Sequence, residues 1–210
     1  MKVVSTNIGS PVTFSWNERE VTTGIFKYPV NYPVYLEKED VIDDNVIDRK
    51  HHGGTDKACY LYSADHYNFW KSLYPNMEMP FGLFGENLTV EGLDESNINI
   101  GDIFKIGNAV VQVSQPRQPC FKLGFRFGDA KVVKQFSESG FPGLYVRVIQ
   151  PGEVKTGDEI IIREQKQSMS VQKVFELHYT EQPKKELLEL IVNDPFLAES
   201  CRHDLMKRMK

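Results

Sequence analysis

The sequence predicts a mainly β protein with some helix: a β-barrel or sandwich over residues 1–164, then a small three-helix domain over residues 165–210. Three observations carry this. Short apolar runs recur between Gly, Pro, Asn and Asp turns through the first part, a rhythm of barrels and sandwiches and not of doubly wound folds. Two similar corners, Ile100-Gly101-Asp102-Ile103 and Thr156-Gly157-Asp158-Glu159, each lead into a strand. Beyond about Glu164 the apolar spacing changes to a helical period.

The strands are expected at Val21–Phe26, Val34–Leu36, Ala58–Tyr62, Leu88–Val90, Ile103–Ile106, Val110–Val113, Leu144–Val148 and Glu159–Arg163. β-Branched and aromatic residues dominate these runs, and turn residues bound them. Two helices interrupt them. Ser63 can cap Ala64–Tyr74, which Pro75 stops, and Tyr67, Trp70 and Leu73–Tyr74 make its apolar stripe. Asp129–Ser139 places Val132, Val133 and Phe136 on one face, with Gly140 just past its end.

Gln165-Lys166-Gln167-Ser168 reads as a polar linker. Ser170 can cap a helix bearing Val171, Val174, Phe175 and His178. Pro183 opens a second with Leu187, Leu188, Ile191 and Val192, and Asp194-Pro195 a third with Leu197, Cys201, Leu205 and Met209. Three helices of this length bury little surface alone, so they should lean on the β domain or on a second copy of the chain in a homodimer.

Net charge is −4, so no global basic field recruits nucleic acid or an anionic membrane. The C-terminal segment from Lys166 carries eight Lys or Arg against seven Asp or Glu and offers no basic recognition face. No apolar run has signal-peptide or membrane-spanning length. Three scattered cysteines, Cys59, Cys120 and Cys201, make no disulfide framework and suit a reducing, cytoplasmic setting. They also cannot form a four-thiolate iron–sulfur site within one chain.

Ser114-Gln115-Pro116-Arg117-Gln118-Pro119-Cys120 is the most informative stretch. Two prolines should end the preceding strand ladder and stiffen the exit. Cys120 is therefore held rigidly between Arg117 and Lys122, and nearby cations favour the thiolate that ligates metals and attacks electrophiles. A buried hydrophobic cysteine is the competing reading. Cys59 and Cys201, on apolar faces, are read that way.

His51-His52-Gly53-Gly54 precedes Lys57. Adjacent histidines face opposite sides of an extended chain, which disfavours a shared metal ion. A structural turn is one reading. The other is an anion site, in which the glycines allow close backbone approach and Lys57 adds charge. Gly85-Glu86-Asn87 reads as a turn before a strand, though the Asn87 amide has both donors and an acceptor for a ligand edge. Arg117 is the candidate for a bidentate anion contact. Arg147 alternates with apolar residues, facing either solvent or a barrel mouth.

Four of these stretches, in order, resemble the MOSC-domain family: His51–Ala58, Phe84–Leu88, Gly101-Asp102 and the Ser114–Leu123 segment around Cys120. With the helical tail, the whole chain resembles the family's YiiM-type branch, a MOSC-type β-barrel followed by three helices. The resemblance implies a molybdenum–pyranopterin cofactor and reduction of small N-hydroxylated compounds, hydroxylaminopurines among them, to amines. It implies Cys120 as catalytic metal ligand, with His52, Gly53, Gly54, Lys57, Asn87, Arg117 and Arg147 around the cofactor. No Gly-x-Gly-x-x-Gly follows a strand, so electrons should come from a separate flavin or iron–sulfur reductase. No lysine is marked for a Schiff base, so pyridoxal phosphate is not expected. Two alternatives remain: a sulfur carrier with a Cys120 persulfide, and a non-enzymatic carrier of the cofactor.

Overall fold

A computed structural model describes residues 1–49 and 53–209. Among them are twelve β-strands and six α-helices. Strand β1 (Lys2–Gly9) leads to a hairpin of β2 (Val12–Trp16) and β3 (Arg19–Thr23), then β4 (Lys27–Val30) and β5 (Val34–Leu36). Next come β6 (Cys59–Ser63), helix α1 (Tyr67–Leu73), β7 (Leu88–Glu91), β8 (Ile103–Ile106) and β9 (Ala109–Pro116). Helices α2 (Phe121–Phe127) and α3 (Lys131–Ser139) separate β9 from β10 (Leu144–Gln150). Strands β11 (Gly152–Val154) and β12 (Ile160–Glu164) precede α4 (Val171–Tyr179), α5 (Lys185–Val192) and α6 (Glu199–Lys207).

The main sheet has eight strands in the order β12-β8-β9-β10-β6-β7-β1-β4. Its β6–β7 pair is parallel, so the chain needs a crossover, and α1 lies within it. Among the described residues the sheet does not close as a continuous ladder, so the expected barrel is not a closed one. The entry to β12 meets the start of β1 through a Lys2–Glu159 bridge and the Val3 N–H donating to the Asp158 carbonyl at 2.9 Å. Further along β1, Thr6–Gly9 pair with β4 instead, so β12 cannot run the full length of that edge.

Other differences are local. The run expected at Val21–Phe26 is the end of the β2–β3 hairpin, whose Asn17-Glu18 turn has both φ angles positive, at 48° and 62°. Ser63 does not cap α1. It still pairs within β6, and a 3₁₀ turn at Ala64–His66 precedes the helix. Ser170 caps α4 as expected, accepting from the Lys173 N–H at 3.3 Å. Asp194 does not start α6; it accepts from the Phe196 N–H at 2.7 Å in a turn. The Ala198 N–H then donates to the Ser114 carbonyl of β9, which delays the helix to Glu199.

Two apolar clusters form the core. The larger joins the sheet interior to Val171, Val174, Leu188, Ile191 and Leu205 of the C-terminal helices. The smaller is aromatic and includes Tyr62, Trp70, Phe84 and Phe136. Strand β6 is buried on both faces: Cys59 and Leu61 enter the first cluster, Tyr60 and Tyr62 the second. That two-residue alternation places Tyr60 beside the site described next.

Candidate functional site

Strand β9 continues to Pro116, because Gln115 and Pro116 pair with Tyr145 and Leu144 of β10. The prolines therefore end the ladder later than the sequence suggests. The register skips Ser114, and this bulge re-aims the chain. The Ser114 hydroxyl lies 2.6 Å from the Asp56 carbonyl and 2.9 Å from that of Tyr145. Residues 117–119 then leave the sheet, and Cys120, partly exposed, takes the N-cap position of α2. The C-terminal helices hold this exit. The Gln118 amide is 3.0 Å from His178 Nε2, and the Ser200 hydroxyl donates to Gln115 Oε1 at 3.1 Å.

Cys120 stands where two hollows meet. The inner one is a cavity of about 80 Å³, lined by Lys27, Asp44, Lys57, Tyr60, Asn87 and Arg117 among others. The outer is an open cleft of about 750 Å³ between the Cys120 turn and α6, a volume suited to a small-molecule ligand. Asp48, Lys57, Lys122 and Tyr145 border both.

The inner cavity is rich in cations. Lys27 pairs with Asp44, and Lys122 with Asp48 at 3.1 Å. Burial lowers the pKa of the Lys57 ammonium, while Cys201, Asp204, Asp56 and Asp48 oppose the shift. Arg117 is 5% exposed, its guanidinium 4.8 Å from the Phe136 ring centre and 5.5 Å from that of Tyr60. Its Nη1 is buried and has no hydrogen-bond partner among the described residues. A buried donor left in that state is costly, and an anionic or acceptor-bearing ligand would satisfy it. Burial raises the Tyr145 phenol to about 12 against the pull of Arg117, so it is a neutral hydrogen-bonding group at neutral pH.

The structure thus brings together Cys120, Arg117, Lys57 and Asn87. Both ends of the Asn87 amide already hold protein groups: Oδ1 accepts from the Tyr60 N–H at 3.2 Å, and Nδ2 donates to Asp44 at 2.9 Å. Gly53 and Gly54 border neither hollow. The Gly53 N–H donates to the Arg49 carbonyl at 3.2 Å, while Gly54, at φ 89°, starts the 3₁₀ turn Thr55–Lys57. Arg147 also lies away from both hollows, bound to Asp56 and to the Phe196 carbonyl, the latter at 2.8 Å. His52 lies outside the described residues.

Glu86 is buried beneath the site as a structural knot. It accepts from the Tyr67 hydroxyl at 2.6 Å, the Gly82 N–H at 2.8 Å, the Phe84 N–H at 3.1 Å and the Thr89 hydroxyl at 2.8 Å. Sequence reasoning missed the Lys27–Asp44 pair, Tyr60 and the α6 wall. Asp43-Asp44-Asn45 carried a turn signal, but nothing local showed that Asp44 would line one cavity with a cysteine far along the chain.

A family model for the MOSC domain matches residues 48–161, over half of the chain and including Cys120. The chain is a MOSC-domain protein. YflK of Bacillus subtilis is 40% identical over 208 residues, covering 98% of this MOSC protein and 93% of its own length. The crystal structure of YiiM from Geobacillus stearothermophilus superposes with a TM-score of 0.83 at 33% identity. That likeness covers 100% of this chain and 99% of the other, C-terminal helices included. A protein named as a reductase from Gibberella moniliformis is 36% identical over 148 residues, 69% of this chain but 26% of that longer protein. Among the described residues of the MOSC protein, no helix is long and apolar enough to cross a membrane.

Proposed function

We propose that this MOSC-domain protein holds a molybdenum–pyranopterin cofactor at Cys120 and reduces small N-hydroxylated compounds, hydroxylaminopurines among them, to amines. The observation that carries the reading is buried Arg117, which lines the cavity that Cys120 borders and whose Nη1 has no hydrogen-bond partner among the described residues. A buried cation with a spare donor beside a thiol fits an anionic cofactor that brings a soft metal. Among the described residues, no group of three or more His, Cys, Asp or Glu side chains could hold an ion. A metal at Cys120 would therefore come with ligands of its own. The reductase name of one relative agrees with redox chemistry.

In this reading Cys120 supplies the single protein ligand, and Arg117 and Lys57 bind the cofactor's anionic groups. Asp44 and Asn87 keep Lys27 and Tyr60 in place beside them. When bound, the cofactor supplies the two-electron exchange for which the chain has no side chain of its own. The substrate's N–O bond breaks, and R–NHOH with two electrons and two protons becomes R–NH₂ and water. The electrons come from a separate flavin or iron–sulfur reductase in the cytoplasm.

The test uses protein made in a host replete in the cofactor. Cys120→Ala should abolish N-hydroxyl reduction with the fold intact, and Cys120→Ser should fail too, because a hard, weakly acidic hydroxyl does not replace a thiolate. Arg117→Ala and Lys57→Ala should lower molybdenum content together with activity. A Cys120→Ala protein that stays loaded and turns over at the wild-type rate would refute the proposal. A persulfide on Cys120 without bound molybdenum would favour sulfur transfer instead.

A further inference from the structure

Phe121 follows Cys120 directly and is the first residue of α2, yet it is 38% exposed. The same helix buries Leu123 and Phe127 in the aromatic cluster. Phe121 instead lines the outer cleft. It is also backed: the Trp16 ring stacks on it with centres 5.4 Å apart and planes 23° apart. Trp16 in turn meets Phe125 edge-on at 5.0 Å, and Phe14 stacks on Phe125 at 3.7 Å. The β2–β3 hairpin forms its own two-stranded sheet, so these rings provide it with a direct attachment to α2. Trp16 does not line the cleft; it lies behind a ring that does.

The wall contributed by α6 has a different chemistry. His203, Asp204 and Lys207 line it, the last two paired at 2.7 Å. A flat apolar ring on one side and mixed polar groups on another suit a planar heteroaromatic molecule, whose face stacks and whose edge hydrogen-bonds. A flexible or saturated group of the same size gains little from the ring's face.

We infer that Phe121, buttressed by Trp16, is the stacking floor of a substrate subsite in the outer cleft, and that it selects planar heteroaromatic N-hydroxyl compounds over saturated ones. The inference rests on the reductase reading above. Phe121 contacts the ring system and not the bond that breaks, so it sets specificity. Base–aromatic stacking corresponds to roughly a tenfold change in affinity or more.

The experiment has a kinetic arm and a binding arm. In molybdenum-loaded protein, Phe121→Leu should raise KM for 6-hydroxylaminopurine about tenfold with kcat nearly kept, and leave N-cyclohexylhydroxylamine within about twofold. Phe121→Tyr should behave as wild type toward both. In the binding arm, adenine is titrated into the same proteins and followed by tryptophan fluorescence. Trp16 stacks on Phe121 with ring centres 5.4 Å apart and Trp70 is fully buried, so a Trp16→Phe control identifies the signal. Phe121→Leu should weaken adenine binding by the same factor. Equal losses for both substrates, or unchanged adenine affinity in Phe121→Leu, would overturn the inference. If the wild-type protein binds adenine through Phe121 but reduces neither substrate, the reductase reading fails and the stacking floor stands.

Discussion

Replacing His178 by glutamine should remove a defined part of the protein's acid sensitivity. His178 lies on α4, its ring 3.0 Å from the Gln118 amide and 3.3 Å from the Cys201 thiol. Burial lowers its pKa from 6.5 to about 4; Asp204 opposes the shift and Arg208 adds to it. The folded protein therefore disfavours the imidazolium that the unfolded chain accepts. Between those two pH values the unfolded state binds more protons, so stability is full above about pH 6.5 and falls as pH drops toward 4. At roughly 1.4 kcal/mol per unit, the loss is about 3 kcal/mol. Urea denaturation of wild type and His178→Gln across this range isolates the effect, because carboxylates that titrate in both proteins cancel in the difference. The wild-type advantage at neutral pH should shrink by about 3 kcal/mol as pH reaches 4. Parallel stability curves for the two proteins would refute the argument, and would mean that the folded protein accommodates the protonated ring.

Glu86→Ala should destabilise the fold by roughly 4 kcal/mol or more, since four buried donors lose their acceptor. Chemical denaturation measures this, and a change under about 1 kcal/mol would mean that water or a rearrangement satisfies those donors. Arg147→Met should lower the melting temperature by freeing Asp56 and the Phe196 carbonyl, without lowering the molybdenum content that the proposed function expects. Metal analysis checks it: loss of molybdenum comparable to that of Arg117→Ala would place Arg147 in contact with the cofactor after all.

The sequence by itself determined most local elements and singled out one candidate reactive group. Alternation marked β6, β8 and the body of β10, helical spacing marked α3 to α6, and Ser170 marked the start of α4, because each depends on neighbours in the chain. The Cys120 segment stood out for the same reason: two prolines and two cations lie within a few residues of one thiol. Contacts between distant residues were not legible there. Whether β12 closes on β1 depends on β4 taking the far half of that edge. The alternation around Arg147 left solvent and a barrel mouth both open, but its guanidinium turns to Asp56 and to the C-terminal segment. Asn87 lines the cavity, but its amide already holds Asp44 and Tyr60. Only the tertiary structure placed the C-terminal helices against the Cys120 exit and made α6 a wall of the cleft. Local propensity is written in neighbours a few residues apart, whereas a site is assembled from groups that folding brings together across the whole chain.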